Sequence, residues 1–130
     1  MKRFTILLCL LVAAGCHNVT MDPALHQRTT DALGQMTPLH AQMGLVMDGN
    51  DVSVADPNAA RTCAALGIAA MQDIDDNAEM KGYYIPTWKA MMVAVGRLWA
   101  LSDDPNAAGL CCDAAKGDIE AVLESSEVKP

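Results

Sequence analysis

Six residues carry soft or readily oxidised donors that the spacing of the chain can bring together: His40, Met43, Met47, Cys63, Cys111 and Cys112. Thiolate and thioether sulfurs select Cu(I) over harder cations, so this set is a candidate soft-metal site. His40 facing Met91 or Met92 would also suit the axial positions of a non-covalent haem b. Against both stands the absence of Cys-x-x-Cys and Cys-x-x-Cys-His from the chain. Methionine at helical spacing is ordinarily core filling. The expectation is therefore no cofactor, with copper ahead of haem b as the alternative.

The chemistry of the thiols depends on where the protein resides. Lys2 and Arg3 precede an apolar run from Phe4 to Ala14, followed by Gly15 and Cys16. A basic start, an apolar stretch and small residues before a cut form a secretory signal, too short to span a bilayer as a helix. The ending "LVAAGC" resembles the lipobox of bacterial lipoproteins. That resemblance implies cleavage after Gly15, diacylglyceryl and palmitate modification of Cys16, and attachment to the membrane through acyl chains. His17, rather than an aspartate, follows the cysteine, which by the same resemblance favours the periplasmic face of the outer membrane over the inner membrane. The implied organisation is a signal peptide over 1–15, a lipidated cysteine and short tether over 16–21, a helical domain over 22–125 and a frayed tail over 126–130.

Outside the inner membrane the redox environment is oxidising, and a disulfide becomes the default for body cysteines. Its placement follows from a repeat. "DPNAA" occurs at Asp56–Ala60 and again at Asp104–Ala108, and the same shift of 48 superimposes Gly34 on Gly82, Pro38 on Pro86, Met43 on Met91 and Cys63 on Cys111. Two duplicated helix hairpins are implied. If the repeat mates face a common twofold axis, Cys63 pairs with Cys111 and Cys112 stays free. The alternative is Cys63–Cys112. Either bond joins the second and fourth helices, which lie on a diagonal of a square bundle. A disulfide tolerates Cα atoms no more than ~7 Å apart, so the bundle must be squashed until those helices touch.

The elements that carry these residues are all helices. Aspartate caps the free amides of a first turn and proline fits the first helical position, so "MDPAL" and both copies of "DPNAA" are helix starts. The expected helices run from Pro23 to about Met47, Pro57 to about Asp75, Pro86 to about Leu101, and from "SDDP" to about Glu124. The first is kinked or broken near Pro38. Inward stripes follow from spacing: Leu33, Met36, His40, Met43 and Met47; Ala60, Cys63, Gly67, Ala70 and Ile74; Trp88, Met92, Val95 and Trp99; Ala108, Cys111, Ala115, Ile119 and Val122. The third helix is apolar nearly all round, interrupted by Lys89 and Arg97, and is expected to be the most buried. The fold class is an all-α antiparallel four-helix bundle.

The net charge is −7, and loss of Lys2 and Arg3 with the signal leaves −9. Such a body has no electrostatic affinity for nucleic acid. No nucleophile elbow, zinc-protease motif or phosphate loop is present, which argues against an enzyme. The acidic stretch Gln72–Glu79 lacks EF-hand spacing. Tyr83, Tyr84 and Trp88 cluster in one connection, a candidate partner surface. The expected function is a lipid-anchored envelope protein serving as a non-enzymatic interaction, accessory or immunity module. A periplasmic Cu(I) or haem carrier is the alternative, and an envelope enzyme without a local motif comes third.

Overall fold

A computed structural model of the chain describes residues 19–81, 84–100 and 103–130. Cys16, the signal segment and Tyr83 lie outside the described residues. Four helices form an all-α bundle: α1 (Pro23–Met43), α2 (Pro57–Asn77), α3 (Tyr84–Ala100) and α4 (Pro105–Ser125). Three of them begin at the expected Asp-Pro pairs. The Asp22 carboxylate accepts from Leu25 N–H at 2.7 Å, Asp56 from Asn58 and Ala59 N–H at 3.1 Å, and Asp104 from Asn106 N–H at 3.0 Å. Each carboxylate thus satisfies amides that the first turn leaves unpaired.

The bundle alternates direction. Arg28 meets Asp73 and Met36 meets Gly67, so α1 and α2 are antiparallel. His40 meets Asp113 and Met43 approaches Gly109, so α1 and α4 are antiparallel as well. α2 and α4 run parallel, Cys63 facing Cys112 and Gly67 facing Ala115. These two diagonal helices are the most extensively packed pair, and α1 and α3 each lie against both. The squashed cross-section required by a disulfide is therefore present. Gly67 makes it feasible: a Cβ there would lie 2.7 Å from the Ala115 Cβ and 2.9 Å from the Met36 Cε.

The core fills in the expected stripes. Every inward position assigned to α2 and α4 is buried, as are Met36, Met43, Trp88 and Val95. Among the described side chains α3 buries Trp88 and Val95 and exposes the opposite face, while α2 buries residues along its whole length. Position decides this: α2 is on the short diagonal, whereas α3 has an open flank. α1 continues through Pro38 without a break and stops at Gly44, whose φ of 59° is the left-handed conformation glycine tolerates. Met47 is accordingly outside the helix.

Five short strands were not foreseen. β2 (Val46–Asp48) and β3 (Asp51–Ser53) pair antiparallel as a hairpin beyond the end of α1. β1 (Val19–Met21) pairs antiparallel with β4 (Glu79–Met80) and parallel with β5 (Glu127–Val128), in the order β4-β1-β5. This small sheet closes the opposite end of the bundle. It corrects two expectations. Residues 19–21 are not tether, because Val19 and Met21 are fully buried. The tail over 126–130 is not frayed, because β5 joins β1 and Lys129 N–H donates to the Met21 carbonyl at 2.8 Å.

The two hairpins are related, though not by one shift. α2 and α4 have the same length and superimpose in bounds with the shift of 48. In the first helices, Pro38 is deep inside α1 while Pro86 is in the first turn of α3. The thiols reveal the register actually used: the Cys63 sulfur lies 3.9 Å from the Met36 carbonyl, and the Cys111 thiol donates to the Val95 carbonyl at 3.6 Å. Met36 and Val95 are 59 positions apart. The difference of eleven residues is close to three helical turns, so the same face is presented after the slip.

Candidate interaction surface

The chemically distinctive residues resolve into three places. At the centre is the disulfide, which joins Cys63 to Cys112 with Cα atoms 5.3 Å apart. This corrects the pairing of Cys63 with Cys111. Cys63 lies against both α1 and α4, whereas the Cys111 thiol is turned to α3, so the two repeat mates do not meet. One residue further along α4 the side chain turns by ~100°, which aims Cys112 at α2. Cys111 is the free, buried thiol, and burial raises its pKa to about 11. It is the protonated, unreactive form of cysteine.

The soft-donor set is not assembled into one site. Two of its three thiol sulfurs are bonded to each other. Met43 is buried against Gly109, while Met47 is on the exposed hairpin. His40 is half-buried at the seam of α1 and α4, its Nε2 2.9 Å from the Asp113 Oδ1. Among the described residues, no group of three or more histidine, cysteine and acidic side chains is placed to hold a metal ion.

Charged contacts otherwise tie elements together. Arg28 binds Asp73 through two hydrogen bonds of 2.9 and 3.0 Å, which lowers the pKa of that carboxyl. Lys129 approaches Glu79 at 2.6 Å, lowering the Glu79 pKa and fastening the C-terminal segment to β4. Asp118 behaves oppositely: burial raises its pKa to about 6. It follows Cys111 by seven residues and so sits on the α3-facing side of α4.

Of the expected aromatic surface, Trp88 is fully buried in the core. Tyr84 opens α3. Among the described residues the exposed large apolar side chains are elsewhere: Val46 (57%) and Met47 (55%) on the hairpin, Val93 (49%) and Leu98 (45%) on α3, and Val128 (43%) on β5. The hairpin's turn has a signal in the sequence. Gly49 and Asn50 form its two-residue turn between Asp48 and Asp51, with Gly49 at a φ of 62°. Glycine at the first central position is what a type II′ turn takes.

The hairpin is held firmly at its base. Ala55 and Asp56 N–H donate to the Met43 carbonyl at 2.8 and 3.1 Å, and Val54 N–H donates to the Asn106 side chain at 3.0 Å. Gly109 admits the segment, since a Cβ there would lie 2.5 Å from Val54 Cγ1. The result is a fixed base from which β2 displays Val46 and Met47 while Leu45 and Val54 pack on the core. No helix among the described residues is long and apolar enough to cross a membrane. Comparison with protein-family models, curated proteins and solved structures gives no match.

Proposed function

We propose that this chain is a lipid-anchored protein of the cell envelope, held through acyl chains on Cys16, and that it works without catalysis by engaging another protein as an accessory, assembly or immunity factor. The observation that carries the reading is the polarity of the bundle. The N-terminal strand that would follow the acylated cysteine is built into one end, and the exposed Val46–Met47 pair stands at the other. A tether and a contact site at opposite ends suit a protein that holds a partner beside a membrane. Tyr and Trp dominate many interfaces, but a rigidly based hairpin offering two apolar side chains also supplies a central contact with polar surroundings.

Two measurements test the parts separately. Mass spectrometry of the mature N-terminus is expected to give an acylated Cys16, and Cys16→Ser is expected to abolish both acylation and membrane retention. A photo-crosslinking residue in place of Met47 is expected to trap one defined envelope protein in living cells. The same residue at Thr30 is expected to trap none, and Val46→Asp to abolish the Met47 product. Equal products from both positions would overturn the hairpin as contact site.

A further inference from the structure

α3 has a face unlike the rest of the surface. Taking 100° per residue, Lys89, Val93, Arg97, Ala90, Ala94 and Leu98 occupy a continuous arc of about half the helix, and all six are exposed. Trp88 and Val95 lie opposite and are buried. The arc holds two cations, two large apolar side chains and two alanines. α3 as a whole contains no acidic residue, in a chain whose net charge is −7. A cationic and apolar helix face suits an interface between water and anionic lipid.

The occupant follows from charge and from the path of the chain. A second copy set face to face would bring Lys89 and Arg97 against the same cations. An anionic surface is complementary, and one is within reach. Val19 pairs with Met80, and Tyr84 opens α3 four residues later. Cys16 precedes Val19 by three residues, a span of at most ~11 Å. An acyl group on Cys16 would thus enter the bilayer near the first turn of α3.

From this placement we infer that α3 is a membrane-resting face: the anchored body lies on its side, with Val93 and Leu98 in the headgroup layer of an anionic phospholipid surface and Lys89 and Arg97 among the phosphates. The inference rests on acylation of Cys16 and is tested on the full mature chain after its acylation has been verified by mass. An environment-sensitive fluorophore is attached at Val93→Cys, and separately at Thr30→Cys on α1, across the short diagonal from α3. Cys111 is buried, and unsubstituted protein treated with the same reagent is the blank. Each protein is reconstituted in vesicles of phosphatidylethanolamine and phosphatidylglycerol containing a lipid-borne quencher, with phosphatidylcholine vesicles as the neutral arm.

The expected result is several-fold stronger quenching at position 93 than at position 30 in the anionic vesicles. That ratio should fall toward one in the neutral arm and in Lys89→Glu/Arg97→Glu, which alters only exposed side chains. Equal quenching at the two positions on acylated protein would overturn the resting face while leaving the anchor intact. Quenching at 93 that appears only when envelope proteins are added would assign the face to a protein and overturn it likewise. A chain carrying no acyl group would overturn both the inference and the anchor.

Discussion

The three body cysteines divide their labour by one rotation along α4. Cys112 closes a covalent link to Cys63 across 49 positions, a separation for which the chain-entropy account gives about 4 kcal/mol of stabilisation. Cys112→Ser is expected to lose about that much in denaturant unfolding. With Cys16 acylated as proposed above, thiol titration should find no reactive group in the native state and one, Cys111, after denaturation without reductant. Asp118 makes a second residue-level test. Its pKa is raised to about 6, so the fold binds its proton more tightly than the unfolded chain does. Its ionisation therefore takes stability away as pH rises from about 4 through about 6. Asp118→Asn should leave stability unchanged near pH 3.5 and raise it at pH 7 by about 1–2 kcal/mol, the full effect of the shift being reduced by partial exposure. Urea titrations at both pH values decide it.

The elements were legible where capping chemistry and periodicity coincide. Asp-Pro starts set the beginnings of α1, α2 and α4, and the stripes of small residues in α2 and α4 foretold a close diagonal pair. What escaped were elements too short to have a period. β1, β4 and β5 have two or three residues each, and only their long-range pairing defines them. The choice between Cys111 and Cys112 escaped for another reason: the shift of 48 aligns Cys63 with Cys111, but which thiol meets α2 is set by the rotation of α4 against it, which the repeat does not record. Trp88 carries two signals, an inward stripe shared with Met92 and Val95 and tyrosine neighbours that suit a partner surface, and its burial follows the stripe. Close packing at this scale is tested by two glycines. Gly67→Ala is expected to cost about 1–3 kcal/mol through overpacking against Ala115 and Met36. Gly34→Ala, where a Cβ meets nothing within 4 Å, is expected to add about 0.5–1 kcal/mol from helix propensity alone. Thermal melts of the pair report both signs.

At the scale of the molecule, the bundle is a pair of related hairpins closed at one end by a sheet that unites the first and last of the described strands. Deleting residues 127–130 removes β5 and the Lys129 contacts with Met21 and Glu79, and opens the side of a strand whose Val19 and Met21 are fully buried. The expected loss is about 2 kcal/mol, with faster hydrogen exchange at Thr20 and Met21 before global unfolding. Survival of their protection in the shortened chain would show that β4 alone secures the N-terminal strand.

The order β4-β1-β5 has a mechanical meaning as well. The strand nearest the N-terminus is the middle one, bonded on both edges, and its ladder bonds run across the strand direction. A pull transmitted along the residues before Val19 is therefore met as shear by both ladders together, instead of opening one bond after another like a zip. A tether ahead of Val19 would therefore load the centre of the sheet and not one of its edges.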